Sequence, residues 1–261
     1  MRNWLCALNY VGTDYAGWQR QPQVASVQAE VEKAISAVAN EQINTVCAGR
    51  TDKGVHANQQ IINFSSQANR SANQWVAGAN THLPSSIRLM YAQTVSRDFS
   101  ARFSARSRWY QYRIYIGECL PAVLHDRALL HRQPLNCDAM QQVGSYWLGE
   151  NDFSSFRGSG CQAAHARRRL LQWQVQKTAT GIVINVCANA FLQHMVRNMV
   201  GTAIAVGSGQ KSVAWARDVM LARDRTKAAA MAPASGLYLH AVYYPSASGV
   251  TLPNAIDVFA R

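Results

Sequence analysis

The sequence predicts an α+β fold with mainly antiparallel strand pairing. The two halves of the 261-residue chain show a similar order of elements, and each half mixes strands with helices. Neither half shows the strict alternation of strand and helix that indicates a doubly wound parallel sheet. Hydrophobic residues make up 48% of the chain and charged residues only 15%, which favours a folded core over disorder.

The first half begins with a predicted strand at residues 4–11. Apolar residues then recur at helical spacing from Val27 to Val38, and Ser26 is the candidate N-cap of that helix. The remaining elements of this half are predicted as strands at 43–48 and 59–64, a helix at 71–80 and a strand at 88–95.

The second half begins with a predicted strand at 107–116, a stretch rich in aromatic and β-branched residues. The elements that follow are a helix at 139–148, strands at 170–177 and 182–189, a long helix from about residue 191, a helix at 213–221 and a strand at 237–244. We therefore expect an N-terminal lobe at 1–104 that carries the catalytic loop described below, a C-terminal lobe at 105–245 and a tail at 246–261.

The charge of the chain is strongly positive. Lysine and arginine number 26 against 14 for aspartate and glutamate, which gives a formal net charge of +12 and an isoelectric point near 9.8. Because charged residues are few overall, a surplus of this size leaves broad positive surface. Nucleic acid is the commonest partner of such a surface.

Several classes of protein are disfavoured. The most apolar stretch, at 191–206, carries His194, Arg197 and Asn198 and is a poor membrane span. The six cysteines are scattered without a CxxC pair and no hydrophobic leader precedes the first strand, so we expect reduced thiols and a cytoplasmic protein. The histidines lack metal-ligand spacing and the glycine-rich segments match no nucleotide-binding loop, so neither metal nor cofactor is expected.

One segment, from Gly49 to Ala57, concentrates functional groups in a loop between two predicted strands. An arginine, a threonine, an aspartate, a lysine and a histidine lie between residues 50 and 56. The alternative is an ordinary polar turn in which Asp52 bonds to nearby backbone. A surface turn does not require so many different groups, however, and positive neighbours favour the ionised carboxylate that a nucleophile or general base needs. The segment therefore predicts Asp52 as a catalytic carboxylate.

Arginine and aromatic residues are interleaved from Arg97 to Tyr115. Guanidinium groups bind phosphates and aromatic faces stack on unpaired bases, so the mixture is typical of proteins that bind looped or single-stranded RNA. The alternative is that most of these aromatic residues belong to the hydrophobic core and that most of the arginines form a solvated rim around it. For Tyr110 the functional interpretation is favoured.

Helical spacing from Phe191 to Gly201 separates an apolar face from a second face that carries Arg197. An arginine on a buried helix requires a partner, and Asp52 is the candidate; an arginine that reaches solvent is the alternative. The loop 12–21 and the arginine run 167–169 are further candidates for RNA contacts, against ordinary roles as a connection and as solvated charge.

Six segments together resemble the tRNA pseudouridine synthase A family. They are GTDYAGWQRQ from Gly12, GRTDKGVHA from Gly49, DFSARFSARSRWYQYRI from Asp98, GENDFSSFRGSG from Gly149, FLQHMVRNMVGT from Phe191 and APASGLYL from Ala232. They stand in the family's order and cover nearly the whole chain up to about Tyr244. The tail at 246–261 lies outside the resemblance, and Lys53 stands where bacterial members commonly carry alanine.

The resemblance implies the pseudouridine synthase fold, in which two related α/β lobes join mainly antiparallel sheets across a central, positively charged cleft. It implies a homodimer that binds tRNA and isomerises uridines at positions 38 to 40 of the anticodon stem-loop without metal or cofactor. Asp52 then corresponds to the catalytic aspartate, Tyr110 to a tyrosine that stacks on the target base, and Arg197 to an arginine that pairs with the aspartate. The residues expected to contact the RNA are Trp18, Arg20, Arg50, Thr51, Lys53, His56, Arg102, Arg106, Arg108 and Leu237.

Three other functions share parts of this residue set. A non-catalytic RNA-binding protein, such as a tRNA folding chaperone, fits the charge and the aromatics but not a loop centred on one aspartate. A synthase that acts on ribosomal or small nuclear RNA would differ only in its substrate. Hydrolysis of the nucleoside bond would place water where C5 of the uracil attacks.

Overall fold

The computed structural model describes residues 1–255. The chain is a mixed α/β protein whose strands pair mainly antiparallel, which confirms the predicted fold class. Two compact units are present: the N-terminal unit contains Met1–Arg108 together with the described chain from Tyr238 on, and the C-terminal unit contains Trp109–Leu237. The sequence analysis predicted lobes at 1–104 and 105–245. These bounds differ from the two units because the order of elements along the chain does not show that the last strand returns to the first unit.

The N-terminal unit begins with strand β1 and helix α1. Its elements before residue 108 are β1 (Arg2–Tyr10), α1 (Val27–Ala39), β2 (Val46–Cys47), β3 (His56–Ser66), α2 (Ala72–His82) and β4 (Ile87–Val95). β1 pairs antiparallel with both β3 and β4, and β2 pairs antiparallel with β3.

The two helices of this unit pack against each other, and α2 also packs on β4. The ring of Trp75 on α2 lies edge-on to Trp4 at 5.9 Å and to Phe64 at 5.1 Å, which anchors the helix on the sheet. Ser71 caps α2 by accepting a hydrogen bond from the Gln74 amide. Ser26 occupies the N-cap position of α1 as predicted, although its side chain makes no capping hydrogen bond.

The C-terminal unit contains most of the remaining elements. They are β5 (Ser107–Ile116), β6 (Leu129–His131), α3 (Cys137–Val143), β7 (Gly149–Asp152), β8 (Arg167–Lys177), β9 (Gly181–Ala188), α4 (Met195–Gly207) and α5 (Val213–Ala222). The strand order is β5-β9-β8-β7, and β6 pairs parallel with β5. Trp147 lies fully buried between Trp173 and Phe156, with ring centroids 4.8 and 5.3 Å away.

The last strand, β10 (Leu237–Tyr243), pairs parallel with β3 and places Tyr238 opposite His56. Beyond it, the predicted tail is described as far as residue 255 and lies against the N-terminal unit. Gln59 Nε2 donates to the Pro253 carbonyl at 2.8 Å, and Gln93 Nε2 donates to the Gly249 carbonyl at 3.1 Å. Residues 256–261 of the predicted tail lie outside the described residues.

Several predicted boundaries need correction. The long helix begins at Met195 and not near residue 191, because His194 adopts a left-handed conformation with φ of 64° and separates residues 191–193 from α4. The helix predicted at 139–148 ends at Val143 and continues as a 3₁₀ turn at Gly144–Tyr146. The strand predicted at 43–48 is limited to β2, and the short strands β6 and β7 were not predicted.

The six cysteines are reduced thiols in the structure. None of the helices within residues 1–255 combines the length and the apolar character needed to cross a bilayer.

Candidate active site

Asp52 lies in the loop that joins β2 to β3 in the N-terminal unit. Lys53 and Gly54 form a turn, closed by a hydrogen bond from the Val55 amide to the Asp52 carbonyl at 3.1 Å. Gly54 has a φ of 76°, in the left-handed region that favours glycine. Asp52 is half-buried while Thr51 and Val55 beside it are buried, so the loop is anchored on both sides of a carboxylate that solvent reaches.

The segment 12–18, which follows β1, holds this loop through the backbone. The Trp18 amide donates to the Thr51 carbonyl at 3.0 Å, and the Gly12 amide donates to Nδ1 of His56 at 3.0 Å. The hydroxyls of Tyr10 and Thr51 share a buried hydrogen bond of 2.8 Å. These contacts fix the residues that flank Asp52.

Two glycines permit this close approach. A Cβ on Gly12 would lie 2.0 Å from the Val55 carbonyl oxygen, far inside van der Waals contact. Gly17 has a φ of 107°, and a Cβ there would lie 2.7 Å from the Thr51 carbonyl oxygen. Sequence reasoning noted the glycine-bracketed loop 12–21 but not this role, since its signal was only the presence of the glycines.

Four residues that the sequence predicts as RNA contacts lie in the core. They are Trp18, Thr51, His56 and Leu237, all buried. The Trp18 ring lies 6.1 Å from that of Tyr10, and the His56 ring stacks on Tyr238 at 4.7 Å. The structure therefore corrects the prediction: Trp18, Thr51 and His56 lie in the interior of the N-terminal unit and Leu237 in that of the C-terminal unit, and none occupies the surface position that a direct RNA contact requires.

Four of the predicted cationic contacts are exposed in the N-terminal unit: Arg50, Lys53, Arg102 and Arg106. Arg20 is exposed as well, and its Nη1 forms a 2.9 Å ion pair with Glu32. Burial raises the pKa of the Cys47 thiol on β2 to about 11, while the positive charges of Arg50, Arg102 and Arg108 act to lower it.

Arg108 has a different environment from the other arginines. It is half-buried, and its Nε and Nη2 donate to the Ala48 carbonyl at 3.1 and 3.0 Å. Its Nη1 donates to the Ala105 carbonyl at 3.2 Å and its Nη2 to the Arg102 carbonyl. Arg108 thereby links the segment 102–105 to the residue that precedes the Gly49–Ala57 segment.

Tyr110 lies on β5 in the C-terminal unit and is largely buried. Phe191 meets its ring edge-on, with centroids 5.0 Å apart and planes at 87°. The left-handed His194 ends the irregular segment that carries Phe191. This departure from the predicted helix places Phe191 beside β5.

Arg197 lies in the first turn of α4 and is half-buried. Its Nε donates to the Ala232 carbonyl at 2.8 Å, and the Ala232 amide donates back to the Arg197 carbonyl at 3.1 Å. The neighbouring Pro233 carbonyl accepts a 2.8 Å hydrogen bond from Tyr112 on β5. Burial raises the pKa of the Tyr112 hydroxyl, while the positive charge of Arg197 acts in the opposite direction.

The helix face predicted to be polar is mostly a packing surface. Asn198 is buried and donates from Nδ2 to the Phe156 carbonyl at 2.8 Å. Gly201 is buried as well, and a Cβ there would lie 2.0 Å from the Ala230 carbonyl oxygen. Arg197 is thus a cation at the rim of an otherwise packed helix.

The structure groups the candidate residues in two sets. Asp52, Arg50 and Lys53 belong to the N-terminal unit, whereas Tyr110 and Arg197 belong to the C-terminal unit. The pairing of Asp52 with Arg197 stays a prediction. Within residues 1–255, no group of three or more histidine, cysteine, aspartate or glutamate side chains is arranged to hold a metal ion.

Comparison with known proteins adds an independent line of evidence. A family model described as tRNA pseudouridine synthase matches residues 6–104 and 145–245. A protein of Coxiella burnetii named tRNA pseudouridine synthase A is 47% identical over 238 residues, which cover 91% of each chain. Proteins of the same name from Francisella philomiragia and Francisella tularensis are 43% and 44% identical over 248 residues, which cover 95% of this chain and 96% of theirs.

Proposed function

Because the chain belongs to the tRNA pseudouridine synthase family, we propose that it is an isomerase that converts uridine to pseudouridine in tRNA. The observation that carries the proposal is the Asp52 loop: a solvent-accessible carboxylate on a loop that is fixed through its backbone and that carries the exposed cations Arg50 and Lys53. The uridines acted on are those at positions 38 to 40 of the anticodon stem-loop. The protein works in the cytoplasm as a homodimer.

The reaction balances without a redox partner or an energy source. The N1–C1′ bond of uridine breaks, the uracil turns, and a C5–C1′ bond forms; C5 loses a proton and N1 gains one. One glycosidic bond replaces another, so neither electrons nor a second substrate enter. A carboxylate can assist either by covalent attack or by removing a proton, and Asp52 takes one of these roles.

The base must leave its stack before Asp52 reaches it, which costs a few kcal/mol. We assign the phosphates of the extruded nucleotide to Arg50 and Lys53, an assignment supported by their exposure and by their closeness to Asp52 in the sequence. Tyr110 stacks on the target base or accepts the C5 proton. Arg197 orients Asp52 and keeps it ionised.

The test is to incubate the purified protein with a tRNA transcript that carries uridines at positions 38 to 40, and to map pseudouridine by carbodiimide-stop primer extension. Wild-type protein is expected to produce stops confined to the anticodon stem-loop, and Asp52→Ala protein none, with tRNA binding retained. Asp218→Ala, an exposed aspartate on α5, is the matched control and keeps full activity.

Two results would contradict the proposal. Tight binding of tRNA by wild-type protein with no product would favour a non-catalytic RNA-binding protein. Release of free uracil in place of pseudouridine would favour hydrolysis of the nucleoside bond.

A further inference from the structure

The side chain of Phe103 is 79% exposed, far more than any other aromatic ring among the exposed large hydrophobic residues of the described chain. The guanidinium carbon of Arg102 lies 5.0 Å from the centroid of this ring, in cation–π geometry. An aromatic ring in water with an arginine over it is a common element of surfaces that bind nucleic-acid bases.

The backbone beneath Phe103 is firmly held. The Ala101 amide donates to Oδ1 of Asn63 at 2.8 Å, and the Ala101 carbonyl accepts from the Tyr244 hydroxyl at 2.8 Å. Arg108 binds the carbonyls of Arg102 and Ala105 on the other side of Phe103. The exposed ring therefore stands on a pre-organised support, which reduces the entropy lost on binding.

The same support leads to the Asp52 loop. Arg108 donates to the Ala48 carbonyl with two nitrogens, so one guanidinium group connects the Phe103 segment to the start of the loop. Arg50 follows Ala48 by two residues and is exposed. All of these residues belong to the N-terminal unit.

We propose that Phe103 and Arg102 form a stacking platform for an unpaired base of the bound tRNA, close to the nucleotide on which Asp52 acts. This inference rests on the proposed function. Stacking on an aromatic ring is independent of base identity, since every base has a π-face, so the platform secures a splayed nucleotide without selecting a sequence.

The surroundings of Phe103 favour RNA over a protein partner. Arg102 and Arg106 are exposed, and Ser100 and Ser104 are half-buried, so these neighbours of Phe103 in the sequence are cationic or polar. A protein contact of useful size needs an apolar centre around its aromatic anchor. A cationic rim around a single ring suits a base flanked by phosphates.

The experiment measures the Kd of the tRNA transcript by fluorescence anisotropy for wild-type, Phe103→Ala, Phe103→Leu and Phe103→Trp proteins, at several salt concentrations. Loss of one base stack is expected to raise Kd by roughly 5- to 100-fold in the Ala variant. The Leu variant is expected to remain weak and the Trp variant to bind as wild type. The slope of log Kd against log salt stays unchanged, because no phosphate contact is removed.

Val123→Ala is the matched control, since Val123 is 78% exposed in the C-terminal unit, and it is expected to bind as wild type. Wild-type Kd values for Phe103→Ala, or full recovery with Phe103→Leu, would overturn the platform. A changed sedimentation coefficient of Phe103→Ala without RNA would do so as well, because it would assign the ring to a protein contact. Kd does not depend on turnover, so a wild-type protein that binds tRNA but forms no pseudouridine would refute the proposed function and leave the platform to be judged by binding.

Discussion

The Asp52 loop and the start of α4 both position one candidate catalytic side chain, but they differ in local structure. Each presents one ionisable side chain, and each relies on a glycine that lets two backbone segments approach: Gly12 against Val55 in the N-terminal unit, and Gly201 against Ala230 in the C-terminal unit. In the first case the functional residue stands on an irregular loop. In the second it stands on the first turn of a helix that is buried along most of its length.

This difference predicts which substitutions lower activity and which lower the stability of the fold. The loop around Asp52 is positioned by a few identifiable hydrogen bonds, so small shifts there change the geometry of the carboxylate before they unfold the protein. Arg197 shares its surroundings with the core of the C-terminal unit, because Asn198 and Met199 beside it are buried. Substitutions near Arg197 are therefore expected to lower the free energy of unfolding before they lower activity.

The largest effects are expected from the two close-approach glycines. Gly12→Ala and Gly201→Ala each force a methyl group against a carbonyl oxygen and are expected to lower the free energy of unfolding by about 2 kcal/mol or more. Gly12→Ala should also reduce kcat about 100-fold, since the clash displaces the Asp52 loop directly. Gly201→Ala should reduce kcat by only about 10-fold, since its clash acts on Ala230 and reaches Arg197 through Ala232. Urea denaturation and rates at saturating tRNA measure both quantities.

Gly160→Ala is the control for this pair. A Cβ there would lie 3.2 Å from Oε1 of Gln193, the flexible end of an exposed side chain, so stability and rate should stay near wild type. Equal losses of kcat in Gly12→Ala and Gly201→Ala would break the comparison.

A smaller effect is expected from two tyrosine hydroxyls. Tyr10→Phe removes the hydrogen bond to Thr51, and Tyr112→Phe removes the one to the Pro233 carbonyl. Each is expected to lower the free energy of unfolding by about 1 kcal/mol, the usual net value of one buried hydrogen bond. Only Tyr10→Phe is expected to lower kcat appreciably, because Thr51 adjoins Asp52. A larger loss of kcat in Tyr112→Phe than in Tyr10→Phe would contradict this account, because activity would then depend more on the packing of the C-terminal unit.

The smallest effect on kcat is expected from Arg20→Ala. The Glu32 side chain is only 5% exposed and keeps its hydrogen bonds from the Thr45 amide and from Gln28, so loss of its Arg20 partner should cost about 2 kcal/mol of stability and leave kcat near wild type. If Arg20 also contacts a phosphate of tRNA, the slope of log Kd against log salt falls by about 1. An unchanged slope would limit Arg20 to its pairing with Glu32.

Strong local patterns in the sequence located several elements well. The strand predicted at 107–116 is confirmed as β5, and the helix predicted at 213–221 as α5, because composition or periodicity is unambiguous there. The start of α4 was missed because the apolar spacing continues through residues 191–194, and periodicity does not reveal a left-handed residue such as His194. The strands β6 and β7 were missed because they are too short to show the alternation of polar and apolar residues that indicates a strand.

The candidate site was also predicted only in part. Asp52 was identified because so many functional groups in one loop are unusual. The burial of Trp18 and His56 was not visible, because it depends on segments far apart in the chain that meet in the fold: residues 12–18 and the Asp52 loop, and β10 beside β3. Sequence reasoning thus identified the loop but assigned surface roles to side chains that build its support.

The most direct test of the account is a single-turnover measurement of tritium release from tRNA labelled with [5-³H]uridine, for wild-type and Asp52→Asn proteins, with tRNA Kd and the free energy of unfolding determined on the same preparations. The account predicts a rate at least about 10⁴-fold lower for Asp52→Asn, with binding and stability near wild type, because the carboxylate acts on the reacting nucleotide and the loop is held by its neighbours. A rate within about tenfold of wild type would contradict it, since another group would then carry the chemistry.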